Sequence, residues 1–139
     1  MESLKKKVQA IIIEKQLCSI MNNTKWEKLQ SGVLNRLPFT PPYQIKYILQ
    51  EKPEPVTFDN DVWYLGDWIE GLFPFYAIEW IKVRPRYVKH KGRLVDDEVI
   101  DITEQFRELL HNLHIPYKEE NNAFYIYGYA ASTELIRND

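Results

Sequence analysis

The stretch from Phe73 to Tyr87, FPFYAIEWIKVRPRY, constrains this chain more than any other segment. Within Phe75–Val83, apolar residues occupy both parities of a two-residue repeat. Ile78 and Trp80 share one face, while Ala77, Ile81 and Val83 lie on the other with Glu79. A strand that is apolar on both faces belongs in the middle of a sheet. Pro85 stops its ladder because proline has no N–H to donate. A carboxylate among such neighbours needs a cation, and Lys82, Arg84 and Arg86 follow it closely.

The flanking patterns supply helices to cover that sheet. Ser3 can cap a helix within residues 1–20, with Leu4, Val8, Ile11 and Ile12 on one stripe and Ile13 opposite it. Lys5, Lys6 and Lys7 read as its solvated face. Thr24 and Glu27 have capping-box spacing for a helix over 24–37 that buries Trp26, Leu29, Val33 and Leu37. Gly32 inside it costs about 1 kcal/mol relative to alanine. Pro38, Pro41 and Pro42 end the helix, and Tyr43, Ile45, Tyr47 and Leu49 then alternate with Gln44 and Lys46 as a half-buried strand. Residues 51–61 carry Pro53, Pro55 and four acids and read as a loop. Val62–Leu65 is a short strand candidate, Trp68–Leu72 is turn-like, and 87–97 reads as loop. Asp101 and Glu104 open a helix over 101–114 with Ile102, Phe106, Leu109, Leu110 and Leu113 inward. Pro116 stops it. Residues 115–129 form a hairpin that turns through Glu120, Asn121 and Asn122. The tail from Ser132 is short and polar at its end. The order predicts one α+β domain over 1–139: a mostly antiparallel sheet of four to five strands, with about three helices packed on it.

Composition excludes several kinds of chemistry. A formal net charge of −2 sets up no global field for nucleic acid or an anionic membrane. The single cysteine, Cys18, excludes an intramolecular disulfide and a cysteine zinc cluster; on its predicted helix it reads as a small core residue. The apolar run Val8–Ile13 is too short for a signal peptide core or a membrane span, so the cytoplasm is the expected location. His111 and His114 stand three apart, but the helical wheel turns His111 to solvent, and both suit the C-terminal end of a helix dipole better than a metal. The five glycines are scattered, which excludes a phosphate loop, and Ser19, Ser31 and Ser132 lack a nucleophile-elbow context. No catalytic residue, metal or cofactor is expected.

What remains points to binding. Trp63 and Trp68 stand among Asp59, Asp61, Asp67 and Glu70, an acidic and aromatic stretch suited to a basic protein partner. A rival reading uses Glu79, Arg84 and Arg86, with His90 as a possible addition, to orient a small anionic ligand or substrate. The two differ in concavity: a deep pocket holding Glu79 and Arg84 favours the second. A third reading takes the six basic residues of Lys82–Arg93, with Tyr87 stacking on a base, as a nucleic-acid contact. Asp96, Asp97, Glu98 and Asp101 follow at once and can neutralise it. Tyr125, Tyr127 and Tyr129 share one parity; they form either a recognition stripe or a packed row with hydroxyls at the rim.

Six stretches of the chain resemble a bacterial family of small proteins of unknown function. They are MNNTKWEKL (Met21–Leu29), LPFTPPYQIKYIL (Leu37–Leu49), GDW (Gly66–Trp68), IEWIKVRPRY (Ile78–Tyr87), DIT with Phe106, and the pair IPY (Ile115–Tyr117) and IYGY (Ile126–Tyr129). They cover most of the chain, and the resemblance implies a shared fold and a cytosolic bacterial protein, with no catalytic residue to transfer. Small acidic α+β proteins of bacteria include immunity partners that neutralise toxins, an analogy of type only.

Overall fold

The computed structural model describes residues 3–131, and Ser132 with the polar tail lies outside them. Helix α1 spans Leu4–Glu14, and the Ser3 hydroxyl accepts from the Lys6 N–H as expected for its cap. It stops well before residue 20, since Gln16 takes a left-handed conformation (φ 54°) that an α-helix cannot continue through. Cys18 therefore sits not on a helix but in the two-residue strand β1 (Cys18–Ser19), where it is exposed rather than packed. Helix α2 covers Asn23–Arg36. Asn22, not Thr24, caps it, and the Asn22 side chain accepts from the Lys25 N–H at 2.8 Å. Asparagine caps as well as threonine does, and Asn22 comes first in the chain. Gly32 has a packing reason that its helix propensity hides, because a Cβ there would press on the Leu109 side chain.

Strand β2 (Tyr43–Tyr47) precedes a long irregular segment, a single 3-10 turn at Phe75–Ala77, and the central strand β3 (Ile78–Val83). Residues 75–77 are thus not part of the strand. The region expected to be loop after Tyr87 contains a two-stranded hairpin, β4 (Arg86–Lys89) with β5 (Glu98–Asp101). Its charged side chains carried no apolar alternation to reveal it. Helix α3 (Thr103–Asn112) begins after Asp101, whose carboxylate accepts from the Thr103 N–H; the side chain thus ends the strand and leads into the helix without being the cap. Strands β6 (Lys118–Glu120) and β7 (Ala123–Tyr127) form the expected hairpin. Asn121 and Asn122 both take positive φ (52° and 62°), the conformation a two-residue hairpin turn demands. Strand β8 (Tyr129–Ala130) pairs back with β1.

The fold is α+β. Its main sheet has the order β2-β3-β7-β6, all neighbours antiparallel, beside the β1-β8 and β4-β5 pairs. One face of the main sheet, formed by Ile45, Ile78, Ile81, Val83, Phe124 and Ile126, meets the apolar faces of α2 and α3 in a common core. Burial of Phe106, Leu109 and Leu110 matches their helical spacing. A smaller cluster of Val8, Ile48 and Ala77 fastens α1 to the 3-10 turn.

A register shift opposite Lys46 and Tyr47 breaks the alternation of β3. Ile78 pairs with Tyr47 and Trp80 with Lys46, so Glu79 is the extra residue of a β-bulge. Strict alternation had put Ile78 with Trp80 and Glu79 with Ile81. The bulge instead turns Ile78 into the core at 0% exposure and leaves Glu79 paired to Lys46 on the opposite side.

Two stability predictions follow from these positions. Trp68 is 1% exposed in the main core, whereas Trp63 is 78% exposed. In urea unfolding, Trp68→Ala should lose about 3–5 kcal/mol and Trp63→Ala no more than about 0.5 kcal/mol. A Cβ on Gly128 would meet the backbone carbonyl of Ile78, which cannot rotate away. Gly128→Ala should therefore lower the thermal midpoint, at a cost above about 1 kcal/mol.

Candidate functional site

The irregular segment between β2 and β3 is fastened from within. Trp68 inserts its ring into the core and donates its indole N–H to the Pro41 carbonyl at 2.7 Å, edge-on to Tyr43. The Tyr43 hydroxyl donates to the Asp67 carbonyl at 2.6 Å. The Gln30 amide, from α2, donates to the carbonyls of Trp68 and Ile69, and the Tyr47 hydroxyl donates to those of Gly71 and Phe73. Asp67 closes the turn by accepting from the N–H groups of Ile69 and Glu70. Side chains of α2 and β2 thus satisfy backbone groups that a neighbouring strand would otherwise have to meet. Val62–Leu65 forms no strand; its Val62 carbonyl accepts a single backbone bond from the Val88 N–H at 2.7 Å. Burial, with Asp67 nearby, holds the Tyr43 hydroxyl above the ordinary tyrosine range, and burial raises that of Tyr47, so both stay protonated donors well beyond neutral pH.

The same segment turns bulky side chains outward. Trp63, Ile69 and Phe73 are 78%, 69% and 77% exposed, and Leu65 is exposed as well. Of the two tryptophans expected at a contact surface, only Trp63 is exposed. Trp68 is withdrawn, because its N–H finds a buried acceptor and its ring fills the space between α2 and β2. Asp67 and Glu70 are exposed, but the Asp67 carboxylate already serves the turn. Leu65, Ile69 and Phe73 were not singled out in the sequence. Single apolar residues among Gly, Asp and Pro carry no period, and only the pinning of Trp68 decides which way they face.

Beside Trp63 lies a groove of about 450 Å³ lined by Asp61, Trp63, Val88, His90 and Asp97. Asp61 accepts from the guanidinium groups of both Arg84 (3.1 Å) and Arg86 (2.9 Å), and Arg86 also reaches Asp101 at 3.6 Å. Arg84 lies over the Phe58 ring and is buried. The two guanidinium Nε–H groups find no acceptor among the described residues. This clamp fixes the chain just before Trp63. It also separates the members of the anionic-ligand reading. Glu79 pairs with Lys46 at 2.7 Å, not with Lys82, Arg84 or Arg86, because the bulge faces it toward β2 while the arginines lie beyond the end of β3. Glu79, Arg84 and Arg86 do not converge, and His90 instead contacts Asp97 at 2.7 Å.

Four of the six cations of the basic run, Lys82, Arg84, Arg86 and Lys91, are matched to carboxylates. Lys82 lies 3.6 Å from Asp59, and Lys91 lies 2.7 Å from Glu98. Tyr87 already packs edge-on against Phe39, which leaves it a poor platform for a base. His111 contacts the Tyr117 hydroxyl at 2.8 Å, and His114 takes the left-handed position after α3. Among the described residues, no group of three or more His, Cys, Asp or Glu is placed to hold a metal ion. None of their helices is long and apolar enough to cross a membrane.

No curated protein and no solved structure matches this chain. Residues 8–133 do match a family, and by that match the chain belongs to a family of unknown function, DUF6678.

Proposed function

We propose that this chain is a protein-binding module whose contact surface is the segment 61–73, with Trp63 as its anchor. One observation carries this reading: a segment without regular structure is pinned through its own backbone carbonyls, yet turns Trp63, Leu65, Ile69 and Phe73 to water. Exposing large apolar side chains costs solubility, and isolated ones are common. Four on one pinned segment fit a preformed surface, since order already present in the free protein need not be imposed on binding. Tryptophan is among the residues that most often dominate interface energetics.

Charge favours a basic partner. Glu70 is exposed within the segment, and Asp97 borders the groove beside Trp63. An arginine or lysine entering that groove would meet the indole face and a carboxylate together. Rim carboxylates of this kind speed and orient encounter more than they add affinity. In its immunity-type form, this reading has a nuclease or another basic toxin as the partner, with occlusion as the mechanism.

The test is capture from native lysate on the immobilised chain, followed by titration of the captured protein. Trp63→Ala should weaken its Kd about 30-fold or more, as truncating an interface anchor does. Glu70→Lys should slow association and flatten its salt dependence. Asp67 is left intact in these variants because it closes the turn. Capture of nothing, or of a partner that Trp63→Ala and Ile69→Ser leave equally bound, would refute the proposal.

A further inference from the structure

The face of the main sheet opposite the helices carries a second surface, independent of the loop. Its side chains fall into register across the strands. One row runs Gln44, Lys82, Tyr125, Lys118 over β2, β3, β7 and β6; the next runs Lys46, Trp80, Tyr127. The three rings thus stand on the two central strands as one group. Trp80 and Tyr125 meet edge-on at 5.9 Å, and Tyr125 stacks with Tyr127 at 6.3 Å. All three are partly exposed. Along one side, the loop after β2 forms a wall, fixed by Gln44 donating to the Pro55 and Val56 carbonyls and by Asp59 facing Lys82. The result is a face of rings bordered on one side by the loop.

The charge pattern selects what can lie on it. Each ammonium on this face has a carboxylate within 4 Å: Lys46 with Glu79, Lys82 with Asp59, Lys118 with Glu120. Three cations matched by three anions give no net field to draw a phosphate backbone, whose binding depends on unmatched Lys and Arg. A dry protein interface is disfavoured too. Lys46 and Glu79 stand part-exposed among the rings, and burying them further would strip them of water, whereas the cores of protein interfaces are depleted in charge. A ligand rich in hydroxyls has neither problem. Each hydroxyl both donates and accepts, so it can bond an ammonium and a carboxylate in turn. The C–H face of a sugar ring meets the electron-rich face of an aromatic ring favourably. The geometry points to a binding face for a neutral oligosaccharide chain, with Trp80 and Tyr127 as stacking platforms, the Tyr125 ring already covered by the Lys82 ammonium at 5.6 Å, and Lys46, Glu79 and Lys118 as hydroxyl partners.

Native affinity electrophoresis through gels cast with soluble starch, β-glucan or xylan tests this, with parallel gels containing poly(U). At least one neutral polysaccharide should retard the chain. Trp80→Ala and Tyr127→Ala should each weaken that retardation about tenfold or more, the loss expected on truncating an anchoring ring. Trp63→Ala, on the other surface, should leave it unchanged, so the two proposals fail separately. Trp80→Phe, which keeps a ring in place, should retain partial binding and shows whether the alanine variant lost the platform or the fold. Retardation in none of the three gels, retardation by poly(U) alone, or retardation indifferent to both Trp80 variants would overturn the assignment.

Discussion

The bond from the Trp68 indole to the Pro41 carbonyl organises more of this molecule than any other single contact. It places the largest side chain of the segment between β2 and β3 inside the core, and it ties that segment to the chain that leads from α2 into β2. Once Trp68 is seated, the neighbouring carbonyls come within reach of Gln30, Tyr43 and Tyr47. The Pro41 carbonyl is buried and must be met, while the part-buried and exposed carbonyls of the segment find helix and strand side chains instead of water. Those side chains come from α2 and β2, so the segment inherits the rigidity of the packed layers beneath it.

The β-bulge at Glu79 has a comparable effect on the sheet. By inserting one residue opposite Lys46, it lets Ile78 join the core while Glu79 and Trp80 both escape it. The main sheet thereby acquires one dry face under α2 and α3 and one face of rings and matched charges. The Asp61 clamp on Arg84 and Arg86 finishes the edge where β3 passes into β4. One carboxylate bridging two guanidinium groups, an oxygen to each, makes charge-assisted hydrogen bonds that hold both arginines in place. They position the chain entering Trp63, so the groove and the pinned segment share one support.

Much of this frame is legible in the residues. The stripes of α2 and α3 and the two-faced pattern of β3 follow from periods of 3.6 and 2, which record burial directly. Asn121 and Asn122 announce their turn because few residues tolerate positive φ. The surface is less legible. Trp63 and Trp68 look alike in sequence, each following an aspartate within two residues, and only a proline carbonyl 27 positions away from Trp68 separates their fates. A bulge leaves no mark on an alternating string, so the partner of Glu79 could not be chosen between β2 and the following arginines. The β4-β5 hairpin was hidden because the two apolar residues of each strand stand side by side between charges, without alternation, and Cys18 because α1 stops early. The rows of Trp80 with Tyr127 and Lys82 with Tyr125 exist only once strand register is known.

The central claim is that residues 64–72 are rigid in the free chain, although they lack regular structure. Backbone 15N relaxation measures this most directly. The account predicts order parameters near about 0.85 across 64–72, equal to those of β3, falling in Trp68→Ala alone among single tryptophan replacements. Values below about 0.6 in the unmodified chain would mean that the segment is mobile despite its pins. In that case the exposed side chains it carries would not form a fixed surface in the free chain.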